Sequence, residues 1–63
     1  LGQTLHELLQ HDLAFERELI GLYEAASSHC EKSGDKDSRL FFESLLSEER
    51  THEKDLLQWI ETL

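Results

Sequence analysis

The chain has 63 residues, with no proline and only three glycines, and it carries a formal charge of −8 with histidine neutral. A chain of this length buries only about 60% of its unfolded surface, which excludes several domains and makes a lone core marginal. The acidic charge excludes nucleic acid and anionic membranes as partners, because both repel such a surface, and it suits a protein that attracts cations.

The first predicted element is a long amphipathic helix over about residues 4–32. Its apolar residues recur at spacings of three and four, the pattern of a single helix face. They are Leu5, Leu8, Leu9, Leu13, Leu19, Ile20, Tyr23 and Ala26. Thr4 is the expected N-cap, and Glu7 three residues later would complete a capping box.

A turn is predicted at residues 33–35, where Gly34 can adopt the left-handed backbone that ends a helix and Asp35 can cap the next one. A second amphipathic helix follows over about residues 36–62. Its apolar residues are Phe42, Leu45, Leu46, Leu56, Leu57, Trp59, Ile60 and Leu63. Because a short turn makes two helices antiparallel neighbours, we expect residues 1–63 to form one all-α domain, an antiparallel two-helix hairpin.

A hairpin of two amphipathic helices leaves much of its apolar surface in water. We therefore expect a homodimer that forms a four-helix bundle, or a larger assembly of such dimers. The alternative is that the other two helices belong to the same longer chain. The chain starts at Leu1 rather than methionine, so a trimmed protein and a piece of a longer one both stay open.

The single cysteine bears on the compartment. Cys30 has no second cysteine with which to form an internal disulfide, and a reducing compartment is therefore the default. No apolar run approaches the roughly 20 residues that cross a bilayer. A cytoplasmic protein is the prediction.

Charged side chains interrupt the predicted inward face of both helices. The inward line of the second helix reads Phe42, Leu45, Glu49, His52, Leu56, Trp59 and Leu63, and that of the first reads Leu9, Asp12, Glu16, Leu19, Tyr23, Ala26 and Cys30. At 1.5 Å per residue, Glu16, Glu49 and His52 all lie about 22–27 Å from the turn, level with one another. Burying an unpaired carboxylate costs several kcal/mol, so these residues need partners or a metal.

A second copy would double this set to four carboxylates and two imidazoles, whose charge two divalent cations would balance. Oxygen ligands with some nitrogen suit iron or manganese, and zinc can also bind. The alternative is a metal-free polar cluster that sets the register of the bundle. Three level residues at this spacing favour the metal site. Asp12 lies on the inward line one turn before Glu16, but Leu13 is expected to take the core position.

Three segments resemble one family: Asp12-Leu13-Ala14-Phe15-Glu16, Gly34-Asp35 followed by Ser38-Arg39, and Glu48-Glu49-Arg50-Thr51-His52. They are similar to the C-terminal half of bacterioferritin and, more broadly, to one hairpin of ferritin-like and rubrerythrin-like proteins. The resemblance implies that Glu16 and Glu49 are metal-binding carboxylates and His52 a terminal ligand of a di-iron site. It also matches Tyr23 to a tyrosine beside such a centre, where it would act from outside the ligand set.

The resemblance further implies oxidation of ferrous iron by oxygen or peroxide, as a ferroxidase-type oxidoreductase or a peroxide scavenger, or else iron storage. Some two-helix relatives in encapsulin compartments build their iron site across a dimer, which adds an encapsulating shell as an expected partner. No haem is expected, since the chain lacks the methionine that holds it in bacterioferritin. The alternatives are a non-catalytic helical interaction module with a polar seam, and another di-metal oxidase or manganese protein on the same scaffold.

Overall fold

The structure is a computed structural model that describes the backbone of residues 2–63 and the side chains from residue 4 onward. It contains helix α1, Gly2–Ser33, and helix α2, Lys36–Thr62. Arg17 pairs with Glu53 and Glu24 pairs with Arg50, so contacts advance along one helix as they recede along the other. The helices are therefore antiparallel, which confirms the predicted all-α hairpin.

The start of α1 differs from the prediction. The helix already includes Gly2, and Thr4 is therefore a helical residue rather than the N-cap. The expectation was wrong because it relied on a capping signal at Thr4, whereas neither Gly2 nor Gln3 prevents the helical backbone from extending further toward the N-terminus.

The turn between the helices is set by local hydrogen bonds. Gly34 has a φ of 76°, and its N–H donates to the Glu31 carbonyl over 3.2 Å. The Asp35 N–H donates to the Cys30 carbonyl over 2.9 Å, which completes a Schellman motif. The Asp35 carboxylate then accepts the Ser38 N–H over 3.1 Å and caps α2. The predicted roles of Gly34 and Asp35 are confirmed.

The hairpin core is thin. Among the described side chains, only Leu9, Leu13 and Cys30 are buried, and all three belong to α1. Leu13 takes the core position beside the exposed Asp12, as expected. The molecule extends over 49 × 14 × 11 Å, the shape of two helices side by side. Within residues 2–63, neither helix is sufficiently long and apolar to cross a membrane.

The two exposed sides of the hairpin differ in chemistry. One side, here called the apolar face, carries His52 and a set of exposed hydrophobic side chains: Leu5, Leu8, Phe15, Leu22, Phe41, Trp59 and Leu63. The other side, the polar face, contains a shallow groove between the helices. Charged and small polar residues dominate its lining: Glu24, Ser27, Ser28, Glu31, Glu43, Ser47, Arg50, Thr51 and Lys54.

The residues predicted to form one inward line on the second helix therefore fall on two neighbouring lines, one covered and one exposed. Phe42, Glu49 and Leu56 are partly covered in the hairpin, whereas His52 is 56% and Trp59 61% exposed. A step of three residues turns the helix by 300°, which places His52 about 60° from Glu49 around the axis. Helix α1 covers Glu49 and leaves His52 exposed. The predicted place of His52, Trp59 and Leu63 in the core of a four-helix bundle therefore depends on the second copy and stays a prediction.

Candidate metal centre

Three side chains meet near the middle of the hairpin. Glu16 lies on α1 seven residues after Leu9, so both occupy the line that faces α2. Glu49 lies seven residues after Phe42 on the covered line of α2. His52 follows one turn later and approaches the same point from the apolar face. The helices themselves, and no loop, position this cluster, which favours a defined geometry.

The distances show that the three groups form one cluster. His52 Nδ1 lies 3.4 Å from Glu49 Oε2 and 3.8 Å from Glu16 Oε2. One ligand atom from each residue falls within 4.8 Å of the other two. The predicted meeting of Glu16, Glu49 and His52 is thus confirmed as geometry, while their role as metal ligands stays a prediction.

The two carboxylates are covered, and each has one oxygen without a hydrogen bond. The side chains of Glu16 and Glu49 are only 19% and 14% exposed. One oxygen of each, Oε2, is buried and accepts no hydrogen bond among the described residues. A covered polar atom without a partner costs roughly 1–3 kcal/mol, and a charged one costs more. The protein therefore carries an electrostatic cost at this point that a bound cation would relieve.

The donor chemistry indicates what such a cation would be. Two carboxylate oxygens and one imidazole nitrogen form a harder ligand set than the thiolate-rich sites that zinc and copper(I) favour. Within residues 4–63, this is the single group of three or more His, Cys, Asp or Glu side chains with metal-ligand geometry. Three ligands leave coordination positions open, and His52 marks the edge of the set that a further molecule can reach.

The other candidates lie around this cluster. Tyr23 is partly covered, and its ring lies 6.4 Å from that of Phe42. It follows Glu16 by seven residues, which is two turns or about 10 Å along the helix. Asp12 and Glu48 are exposed, so neither joins the covered pair of carboxylates.

The sequence interpretation missed part of the apolar face. Phe15, Leu22 and Phe41 are 58%, 65% and 59% exposed, yet none was assigned to the apolar side of its helix. A signal was present in α1, where Leu8, Phe15 and Leu22 recur every seven residues and form their own stripe. The stripe lies beside the residues that face α2. The prediction of one apolar line per helix therefore did not include it.

Comparison with known proteins shows where similar chains occur. The model of the family described as Ferritin-like domain matches residues 1–63. A bacterioferritin from Rhodobacter capsulatus is 38% identical over 52 residues, which are 82% of this chain and 32% of the relative. The chain thus spans about a third of the length of that relative. No solved structure matches the chain significantly.

Proposed function

This chain belongs to the ferritin-like family, and from that premise we propose that it binds and oxidises ferrous iron at a site shared by two copies. The observation that carries the proposal is the pair of covered, unpartnered carboxylate oxygens of Glu16 and Glu49 beside His52. Family membership and the bacterioferritin relative favour iron over the other cations that such a set can hold.

The residues fit a pair of iron ions. Each copy supplies two carboxylates and one imidazole, so two copies supply four negative charges, which two divalent cations neutralise. Glu16 and Glu49 of both copies would hold the ions, and each His52 would supply a further ligand. Such a set of carboxylates with Glu-x-x-His pairs is the one found in di-iron helical bundles.

A second copy has two independent reasons to bind. The ligand set is open on the side of His52, which is 56% exposed in the single hairpin. The same side carries the seven exposed hydrophobic residues of the apolar face. Large exposed apolar patches mark interaction sites. A copy seated on the apolar face would complete the ligand set and cover these residues in one step.

The proposed reaction takes ferrous iron as substrate. Two ferrous ions supply two electrons, which with two protons reduce hydrogen peroxide to two water molecules, or dioxygen to hydrogen peroxide. The carboxylates of Glu16 and Glu49 favour the product, because their negative charge stabilises ferric iron more strongly than ferrous iron. Tyr23 is the proposed donor of a hydrogen bond or an electron from beside the site.

The setting of this reaction is also a proposal. A reducing cytoplasm keeps the lone Cys30 as a thiol and supplies iron in the ferrous form. With an enclosing protein shell, which the family resemblance implies, the ferric product would be stored as well as formed. Manganese or zinc in place of iron would indicate another di-metal protein on the same scaffold.

Metal content tests the binding site. Protein loaded with ferrous iron under anaerobic conditions and then desalted should hold two irons per dimer by elemental analysis. Glu49→Ala should lose most of that iron, whereas Glu48→Ala should keep it, because Glu48 is the exposed neighbour on the same helix. A Glu49→Ala protein that retains the full iron content would remove the site assignment. A wild-type protein without affinity for any divalent metal would favour the interaction module.

Rapid mixing tests the reaction. Stopped-flow absorbance should show ferric products within seconds after the loaded protein is mixed with oxygen or peroxide. Tyr23→Phe removes the hydroxyl but preserves the ring beside Phe42, so we expect the same iron content and slower oxidation. Ferrous iron that oxidises no faster with the protein than in buffer would contradict the oxidase proposal and leave only metal binding.

A further inference from the structure

We propose that Glu53 holds the guanidinium group of Arg17 away from the two covered carboxylates, which keeps them available for iron. This inference rests on the proposed function and deepens it, because it names a residue outside the ligand set that controls whether the site accepts a metal ion. Glu53 is thus a positioning residue, which acts through Arg17 and does not itself hold the metal.

An ion pair between the two helices lies beside the predicted metal ligands. Arg17 on α1 directly follows Glu16, and Glu53 on α2 directly follows His52. Arg17 Nε donates to Glu53 Oε2 over 3.0 Å. The two side chains are 56% and 28% exposed, so the pair forms at the surface of the hairpin. It therefore joins the helices at the level of the candidate metal centre.

Helix geometry places this ion pair about one turn from Glu49. Glu49 and Glu53 are four residues apart, so they are neighbours on one side of α2, with about 5–6 Å between their Cβ atoms. Around the helix axis, Glu53 lies about 40° from Glu49 in one direction and His52 about 60° in the other. The covered carboxylates thus have His52 on one side and the ion pair on the opposite side.

Both covered carboxylates nevertheless keep an oxygen without a hydrogen bond. Oε2 of Glu16 and Oε2 of Glu49 accept none among the described residues. A guanidinium group carries five N–H donors and forms strong hydrogen bonds with carboxylates. Attraction between charges is screened less at a covered carboxylate than at an exposed one. Without Glu53, we therefore expect Arg17 to move by about one turn and bind these oxygens.

A guanidinium group bound there would compete with a metal ion. Arginine stays protonated in proteins, so its charge would repel a divalent cation. Its N–H groups would also occupy the oxygens that the cation needs as ligands. The contact of 3.0 Å with Glu53 balances the charge of Arg17 and keeps its side chain at the surface. The two carboxylates consequently remain available for a cation.

A second ion pair between the helices provides a control. Arg50 Nη2 lies 3.4 Å from Glu24 Oε2, and these side chains are 57% and 54% exposed. Glu24 follows Glu16 by eight residues, or about 12 Å along α1, so this pair lies two turns from the site rather than one. Loss of Glu24 removes one negative charge and one contact between the helices, but it does not release a cation beside Glu49.

Calorimetric titration of the metal-free protein with manganese tests the inference. Glu53→Gln should weaken binding about 10–100-fold, which corresponds to a hydrogen bond between charged groups. Arg17→Gln should bind manganese as tightly as wild type or a few-fold more tightly, since it removes a nearby positive charge. The double variant should return to within a few-fold of wild type, because the competing group is gone. Glu24→Gln should also bind like wild type.

The outcomes separate this inference from the proposed function. Weaker binding in Glu53→Gln, Arg17→Gln and the double variant alike would show that the pair only holds the helices together. A double variant as weak as Glu53→Gln would show that Glu53 acts directly on the metal. A loss in Glu53→Gln no larger than the gain in Arg17→Gln would show only a long-range effect of charge. Each of these results overturns the inference and leaves the proposed iron site intact, whereas a wild-type protein that binds neither manganese nor ferrous iron overturns both.

Discussion

Replacing Glu49 with glutamine should stabilise the metal-free protein and reduce the stability that the protein gains from metal. The substitution keeps the size of the side chain and removes its charge. In the metal-free protein, an amide at this position ends the repulsion between the carboxylates of Glu16 and Glu49. In the metal-loaded protein, it removes a charged ligand. A merely structural role for Glu49 would not produce both effects.

The magnitudes follow from the geometry. Carboxylate oxygens of Glu16 and Glu49 lie within 4.8 Å of each other. Two like charges at that separation repel by about 1 kcal/mol in water and by about 3 kcal/mol at a dielectric constant near 20. The partly covered site lies between these limits, so Glu49→Gln should stabilise the metal-free protein by roughly 1–3 kcal/mol. For a chain of this length, each kcal/mol raises Tm by about 4–8 °C.

Metal should stabilise the wild-type protein more than the variant. Manganese at a concentration 100 times its Kd stabilises the wild-type protein by about 2.7 kcal/mol. If the variant binds about 100-fold more weakly, the same manganese stabilises it by only about 0.4 kcal/mol. Thermal unfolding is followed by circular dichroism at pH 8, where histidine side chains are ordinarily neutral. It measures the stability of each metal-free protein and the stability that each gains from manganese.

Glu48→Gln is the matched control, because it removes the same charge from an exposed neighbour. It should leave both the metal-free Tm and the shift with manganese close to wild type. The reasoning is refuted if metal-free Glu49→Gln melts below wild type, or if manganese raises the Tm of both proteins equally.

Three further predictions concern the hairpin itself. Gly34→Ala should destabilise the protein by about 1 kcal/mol in urea unfolding, since φ is 76° there. Gly21→Ala within α1 should instead stabilise it by up to about 1 kcal/mol. Equal effects at both positions would contradict the left-handed backbone of Gly34 in the turn. Hydrogen bonds from the Ser38 hydroxyl and N–H lower the pKa of Asp35, so its contribution to stability is present above pH 4 and lost as pH falls through the lowered value; Asp35→Asn should remove this part of the acid dependence. Leu13→Ala should cost about 2–5 kcal/mol and unfold much of the metal-free protein, because Leu13 is the most buried core leucine; a fully folded variant by circular dichroism would show that the core lies elsewhere.

The sequence alone determined the hairpin and the height of its polar cluster. Apolar spacings of three and four, together with one Gly-Asp turn, specify two helices and their direction, because these are local properties of the backbone. The constant rise per residue then predicts that Glu16, Glu49 and His52 are level, and the structure brings them within 4.8 Å. Their function in binding metal remains to be tested by the iron content of the variants.

Only the tertiary structure decided which sides of the helices are covered. A stripe of residues such as His52 and Trp59 lies just 60° from the Glu49 line, and both stripes carry apolar side chains. The sequence pattern records that each stripe is apolar, but the position of α1 determines that Glu49 is covered and His52 exposed. Burial depends on contacts between distant segments, and for this reason only the packed helices show which residues form the open edge of the site and the apolar face.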